Sequence, residues 1–229
     1  SERWHADPSM ASGTITGSGT VVVVYRHQAF VTFDLQVPAG GTVSPGTGWY
    51  DLGASISPSV VGPAGWAAGD WLGSGPGAYS GPEPAPTLKV RGAFSETAIL
   101  FPGLTIRAAF GGAVSYAYEG GSGTVSGGSS RRIYVRPGTT VSLVETSSRG
   151  FAFTGWTGAT SGTQSNVTIT MNAPAEVSAK FSLTTVAALA LVAGIGVLIL
   201  VSVLVVVVLR GRRRQTFPPP PPAPPPPPP

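Results

Sequence analysis

The chain contains no cysteine. No disulfide can staple it, no thiolate can act as nucleophile, and no Cys-ligated metal can form. Histidine is nearly absent as well: His5 and His27 are the only two. Neither has a second strong ligand two to four residues away, apart from Asp7 near His5, so a metal site or a general base is not built from them. Charge is scarce too, at 10% of 229 residues. All ten acidic residues and ten of the fourteen basic ones precede residue 185, so that part of the chain is neutral. The net charge of +4 therefore belongs entirely to Arg210, Arg212, Arg213 and Arg214. A basic patch for DNA or RNA is missing, and no nucleic-acid partner is expected.

What the chain has is one long apolar run. Residues 186–209, VAALALVAGIGVLILVSVLVVVVL, carry no charge, and 17 of the 24 are Val, Leu or Ile. As a helix the run measures about 36 Å, enough to cross a hydrocarbon core. Its 17 branched aliphatic residues favour insertion by about 5 to 10 kcal/mol. The Val content also suits strands, but strands average five or six residues and do not run for 24. The spacing predicts a transmembrane helix over 185–209. The four arginines behind it put the C-terminus in the cytoplasm and residues 1–184 outside the cell membrane. They also suit anionic headgroups of the lipid bilayer, at about 1 kcal/mol each. Within the run, Ala190 and Gly194 form a small-xxx-small pair, a weak signal for self-association of two helices. No ionisable residue interrupts it, so a proton or ion path through this helix alone is excluded.

Before the run, Gly, Ser, Thr and 12 prolines punctuate short alternating stretches. VTFDLQV (31–37), TVSLVET (140–146), NVTITMN (166–172) and AEVSAKF (175–181) have the period-two pattern of half-buried strands. No segment outside the apolar run has helical periodicity. An internal repeat is legible. Thr42 and Thr124 are 82 residues apart, Trp71 and Trp156 are 85 apart, and Ala98 and Ala179 are 81 apart, each in a similar local context. RWHADPSMASGTITGSGTVVVVY (3–25) reads as a third copy lacking its opening half, or as one added edge strand. The partial copy leads to the expectation that the chain is the C-terminal piece of a longer protein.

The motif GTVSGG, followed by RPGTTVSLVETSSRGFAFTGWTGATSG and NVTITMNAPAEVSAKF, resembles the bacterial and archaeal surface repeats of the internalin B-repeat (Listeria–Bacteroides repeat) group. The resemblance covers residues 122–181. Residues 29–100, opening QAFVTFDLQVPAGGTVSPGTGWYDLG, are more loosely similar to a variant in archaeal exported proteins. They depart from it in the insertion GSGPGAYSGPEPAP (73–86). The resemblance implies compact β-grasp-like modules strung along surface and adhesion proteins, with no catalytic residues to carry over.

The expected fold is mainly β: two tandem β-rich modules, β-grasp-like or sandwich-like, and one C-terminal transmembrane helix. Its partition is 1–25 partial repeat or added strand, 26–109 first module, 110–182 second module, 185–209 helix and 210–229 cytoplasmic tail. That tail ends in PPPPPAPPPPPP (218–229), which forms polyproline II of about 37 Å reach. Asp34, Asp51, Asp70, Glu83, Glu96, Glu119, Glu145 and Glu176 are scattered singly and are expected on solvated strand faces and turns. No G-x-S-x-G elbow supports a hydrolase. Trp71 and Trp156 are expected in the cores. Trp49, Tyr50 and Tyr79 are the candidates for glycan contact, because flat apolar rings suit sugar faces. Asn166, in Asn-Val-Thr, is the candidate glycosylation acceptor. No cofactor is expected. The functional expectation is a non-enzymatic single-pass surface protein acting as a structural or adhesive stalk, with the bilayer and cell-envelope proteins or polysaccharide as partners. The alternatives are the anchor of a larger surface protease or glycosidase, and a carbohydrate-binding module.

Overall fold

The computed structural model describes residues 1–7, 14, 16–20, 22–36 and 40–213. The polyproline segment and Arg214 lie outside the described residues. Nine strands come first: β1 (Glu2–Ala6), β2 (Tyr25–Gln36), β3 (Thr42–Ser44), β4 (Gly48–Asp51), β5 (Ser55–Ile56), β6 (Ser59–Val61), β7 (Trp66–Ser74), β8 (Leu88–Lys89) and β9 (Phe94–Ala108). Seven follow: β10 (Gly112–Tyr118), β11 (Gly121–Ser126), β12 (Ser130–Tyr134), β13 (Thr140–Ser147), β14 (Phe151–Gly158), β15 (Asn166–Thr170) and β16 (Ala175–Leu183). The helix α1 (Thr185–Arg213) closes the order. Among the described residues the molecule is mainly β, with a single apolar helix of membrane-spanning length.

Strand β9 organises everything before the helix. Its even positions, from Phe94 through Pro102 to Ala108, are all buried in a period-two pattern, and at the crossing Gly103 and Thr105 are buried as well. Its first half pairs in parallel with β2, from Val31↔Phe94 to Gln36↔Ile99, and antiparallel with β7. Its second half pairs in parallel with β16, from Ala175↔Leu104 to Ala179↔Ala108, and antiparallel with β12. Partners change at Pro102–Gly103. Proline has no N–H to give a ladder, so a central strand tolerates it only where pairing is interrupted. The Pro102 carbonyl accepts from Val135 N at 3.2 Å, while Gly103 N donates to Gly65 O at 2.8 Å on the opposite edge. A Cβ on Gly103 would come within 2.9 Å of that Gly65 oxygen, so the crossing needs glycine. The sequence suggests independent modules in series. Instead, the closing strand of the first core continues, without a break, as the opening strand of the second.

The repeat is structural as well as sequential. Trp71 and Trp156 are 1% and 2% exposed, as expected of core residues. Each follows an irregularity in its strand and forms an isolated bridge to a glycine, Trp71 to Gly81 and Trp156 to Gly162. Their indole N–H groups donate to the carbonyls of Pro84 (3.5 Å) and Gln164 (2.8 Å). Burying one such indole removes roughly 200 Å² from water, on the order of 5 kcal/mol of gross stabilisation. Elsewhere the pair Ile56↔Leu88 recurs as Val141↔Ile169. Gly53 N→Val90 O (2.7 Å) recurs as Gly138 N→Met171 O (2.8 Å), with both glycines at positive φ.

The first core gathers Ala29, Val31, Phe33, Ile56, Trp71, Leu88, Val90, Phe94 and Ala98. The second gathers Leu104, Ile106 and Ala108 with residues of β10–β16, roofed by the four-stranded sheet β11-β10-β13-β15. At the N-terminal end, β1 adds an antiparallel edge strand to β2. At the other end β16 gives way to α1 with only Thr184 between them. The Thr184 hydroxyl accepts from Ala187 N at 3.3 Å and its carbonyl from Ala188 N at 2.9 Å, capping the first turn. The most apolar 18-residue window of Thr185–Arg210 has a mean hydropathy of 3.2 and is not buried against the β-domain, whereas Ala187 and Ala188 at the helix base are half-buried.

Because β9 cannot leave one core without opening the other, urea unfolding of the β-domain should be a single transition. Ile106→Ala, in the second core, should cost about 2–5 kcal/mol. It should shift the unfolding of the first core by the same amount, read by hydrogen exchange at Val31 and Phe33 amides. Two separated transitions, or unchanged exchange at those amides, would show that the strand does not couple the cores.

Candidate functional site

The crossing of β9 creates the only contact region between the two cores that carries paired charge among the described residues. The turn before β7 abuts the turn before β16: a Cβ on Gly65 would sit 2.7 Å from Pro174 Cβ. Asp70, on β7, is 8% exposed and takes an ion pair from the mostly exposed guanidinium of Arg136, which follows β12. On one side of this pair lies an open groove of about 490 Å³ lined by Leu35, Gln36, Trp66, Ile99, Arg136 and Asn172. On the other lies a hollow of about 420 Å³ under Phe101, Tyr118, Tyr134 and Arg136. Chemically the first groove offers a guanidinium, two carboxamides and apolar walls. Such a lining has the groups to hold a polar chain by hydrogen bonds and apolar contact.

The sequence candidates are placed apart from this groove. Trp49 and Tyr50 are successive residues of β4 and so face opposite sides of the sheet. Trp49 lies edge-on to Phe30 at 5.2 Å, with the Arg3 guanidinium over its ring at 4.3 Å. Tyr50 packs on the first core against Phe33, its hydroxyl donates to Gly46 O, and burial pushes its phenol upward. Tyr79 also packs on that core, and its hydroxyl accepts from Glu83 N at 3.2 Å. Asn166 is exposed at the first position of β15. It lies beside a trough lined by Ser142, Thr160, Ser161 and Thr163. His27 stacks on Trp4 at 4.5 Å and meets Glu2 at 3.0 Å, while Asp7 bonds to Arg26 at 3.0 Å. Among the described residues no three His, Asp or Glu side chains gather as a metal site would require. In α1, Gly194 is exposed, with no other heavy atom near the position of a Cβ.

The carboxylates divide in a way the sequence does not signal. Arg107 and Glu176 pair at 2.6 Å across the parallel β9–β16 ladder, holding the Glu176 carboxyl below its usual range. Asp51 is likewise lowered, first by the Gln28 amide and then by Arg26. Asp70 and Glu96, expected in solvent, are buried instead. Glu96 is fully buried on β9; one oxygen accepts from Tyr79 N at 2.6 Å and the other has no partner. Its counterpart 81 residues on is Val177, so the first core carries a carboxyl where the second carries an aliphatic side chain. Burial pushes the Glu96 carboxyl up, against the pull of the Tyr79 amide. In the sequence Glu96 sits in phase with Phe94 and Ala98, the one signal that could have placed it inward.

Residues 113–185 match the family model of the divergent InlB B-repeat domain. The matched stretch begins at β10 and so leaves out the second half of β9, which opens the same core. No curated protein matches the chain. Among solved structures the chain is similar to the major pilin protein (T-13) from Streptococcus pyogenes serotype GAS131465. That likeness has 9% identity and a TM-score of 0.28, over 69% of this chain and 97% of the pilin.

Glu96 supplies a pH test. With its folded pKa raised, folded and unfolded chains both hold the proton at low pH. Above the ordinary glutamate value of about 4.3 the unfolded chain releases it first, so stability falls as pH rises through the folded value. Glu96→Gln should remove that fall and leave the acid-side losses from Asp51 and Glu176 in place. Urea midpoints measured from acid to neutral pH check this; parallel curves for the two proteins would refute it.

Proposed function

We propose that this chain is a non-enzymatic structural segment of the cell surface: a stiff pair of B-repeat-like units held on the membrane by α1. The observation that carries the reading is mechanical continuity. The main chain passes from β2 to β9 to β16 through two parallel ladders and enters α1 after a single capping residue. A flexible linker would let an attached enzyme or receptor move freely. This junction fixes the orientation of the β-domain relative to the helix axis. The family match of residues 113–185 supports the surface role, and the apolar length of α1 supports anchorage. On this reading residues 1–184 face outward, Arg210 and the arginines after it stop the helix at the cytoplasmic leaflet, and Asn166 is available to a glycosylating host. Cell-envelope polymers are the partners such a spacer meets, and the groove beside Arg136 has the groups to hold one.

The absence of cysteine makes the topology directly testable. Ser161→Cys should react with a membrane-impermeant maleimide on intact cells, and Gln215→Cys only after permeabilisation. Reaction of both on intact cells, or recovery of the chain in the soluble fraction, would overturn the anchored reading.

A further inference from the structure

The end of the β-domain next to α1 is built from three short segments. The β9–β10 turn contains Ala109, Phe110 and Gly111; the β13–β14 turn contains Ser148, Arg149 and Gly150; β16 ends in Leu183. Backbone hydrogen bonds tie them together: Ala109 N to Ala179 O (2.9 Å), Ser148 N to Gly111 O (2.8 Å) and Thr184 N to Gly150 O (2.9 Å). The helix rises from among them, with Ala187 Cβ only 3.2 Å from where a Cβ on Gly150 would lie. In this cluster Phe110 is 75% exposed, more than Trp4, Tyr25 or Tyr134, the other exposed aromatics among the described residues. Its ring is held edge-on to Phe151 at 5.5 Å, and Phe151 pairs with Leu183, itself 47% exposed. Gly111, at φ +103°, would bring a Cβ within 2.3 Å of the Phe151 ring, so the turn can pack closely only with glycine there. None of the three segments contains a carboxylate, and Arg149 is their one charge.

An exposed apolar side chain alone is ordinary. This one is different because of its position. The uncharged run begins at Val186, so the hydrocarbon boundary falls within a turn of Thr185, level with these loops. A rigid aromatic and a leucine at that depth, beside an arginine and free of acids, have the composition of an interfacial footing. We infer that Phe110 and Leu183 seat in the interfacial layer of the bilayer that α1 crosses, with Arg149 among the lipid phosphates, so that the second unit rests on the membrane surface. The inference depends on α1 being the anchor. The partner is the lipid itself, by continuity with the helix.

The test keeps Phe110 in place and reads its neighbour. Nitroxide is attached to Ser148→Cys, to Ile195→Cys within the helix and to Ser57→Cys on the exposed surface of the first unit. Each protein is reconstituted in phosphatidylcholine vesicles, and collision with oxygen is compared with collision with a water-soluble nickel chelate. The expected result is a lipid signature at 195, a water signature at 57 and an intermediate value at 148. Adding Phe110→Ser should move the 148 value toward that at 57 while 195 stays unchanged. If 195 is in lipid but 148 matches 57 from the start, or does not respond to Phe110→Ser, the footing is refuted and the anchor stands. If 195 reads as water, the anchor fails and the footing with it.

Discussion

Because β9 supplies the parallel partner of β2 and then of β16 in one run of fifteen residues, neither core can close without it. Each unit sets its first and last strands side by side, β2 with β9 and β9 with β16. Here one strand fills the last place in the first unit and the first place in the second. The saving is a linker; the constraint is that the crossing must dispense with a hydrogen bond and admit close backbone approach. Pro102 and Gly103 meet those two requirements in order. The Asp70–Arg136 pair and the Gly65–Pro174 contact then fix the angle between units from either side of the crossing.

The two cores are alike where packing decides and different where it does not. Trp71 and Trp156, Ile56↔Leu88 and Val141↔Ile169, Gly53 and Gly138 recur because each fills a position that a closed unit cannot leave empty. Glu96 is the exception. A buried carboxyl with one unsatisfied oxygen costs about 1–3 kcal/mol, and more once it loses its proton, so the first core is built with a weakness that the Val177 core lacks. The extended loop 73–86 bends back over that side chain through Tyr79, whose amide is the carboxyl's partner. Glu96 and the insertion thus belong together, and both are missing from the second unit.

Much of this was legible from residues alone. Alternation marked the strands, turn residues bounded them, and the 81-to-85 spacing of Trp and Ala anchors showed the repeat, because hydrophobic periodicity records which face is buried. Sharing of β9 was not legible. Parallel pairing leaves no local signature, and the segment FSETAILFPGLTIRA reads as a strand stopped by Pro-Gly. The burial of Asp70 and Glu96 was missed for a related reason: a carboxylate is placed by its partners, Arg136 and the Tyr79 amide, which lie 66 and 17 residues away. Of the candidate glycan rings, Trp49 and Tyr50 are strand neighbours and so point to opposite faces of the sheet, which composition alone does not reveal.

The same strand arrangement determines how a pull along the chain is resisted. Tension between the start of β2 and the top of α1 drags β2 toward its N-terminus and β16 toward its C-terminus, with β9 held between them. In both parallel ladders that force runs along the strands, so the hydrogen bonds are sheared together and not peeled one at a time. The Arg107–Glu176 pair bridges the second ladder at 2.6 Å, adding a side-chain tie in the place where the load passes to β16. Peeling would be the mode if the terminal strands were antiparallel and pulled from the same end. A domain joined to a long apolar helix by a single residue, with the parallel ladders on its pulling axis in shear, is built to resist tension along the chain.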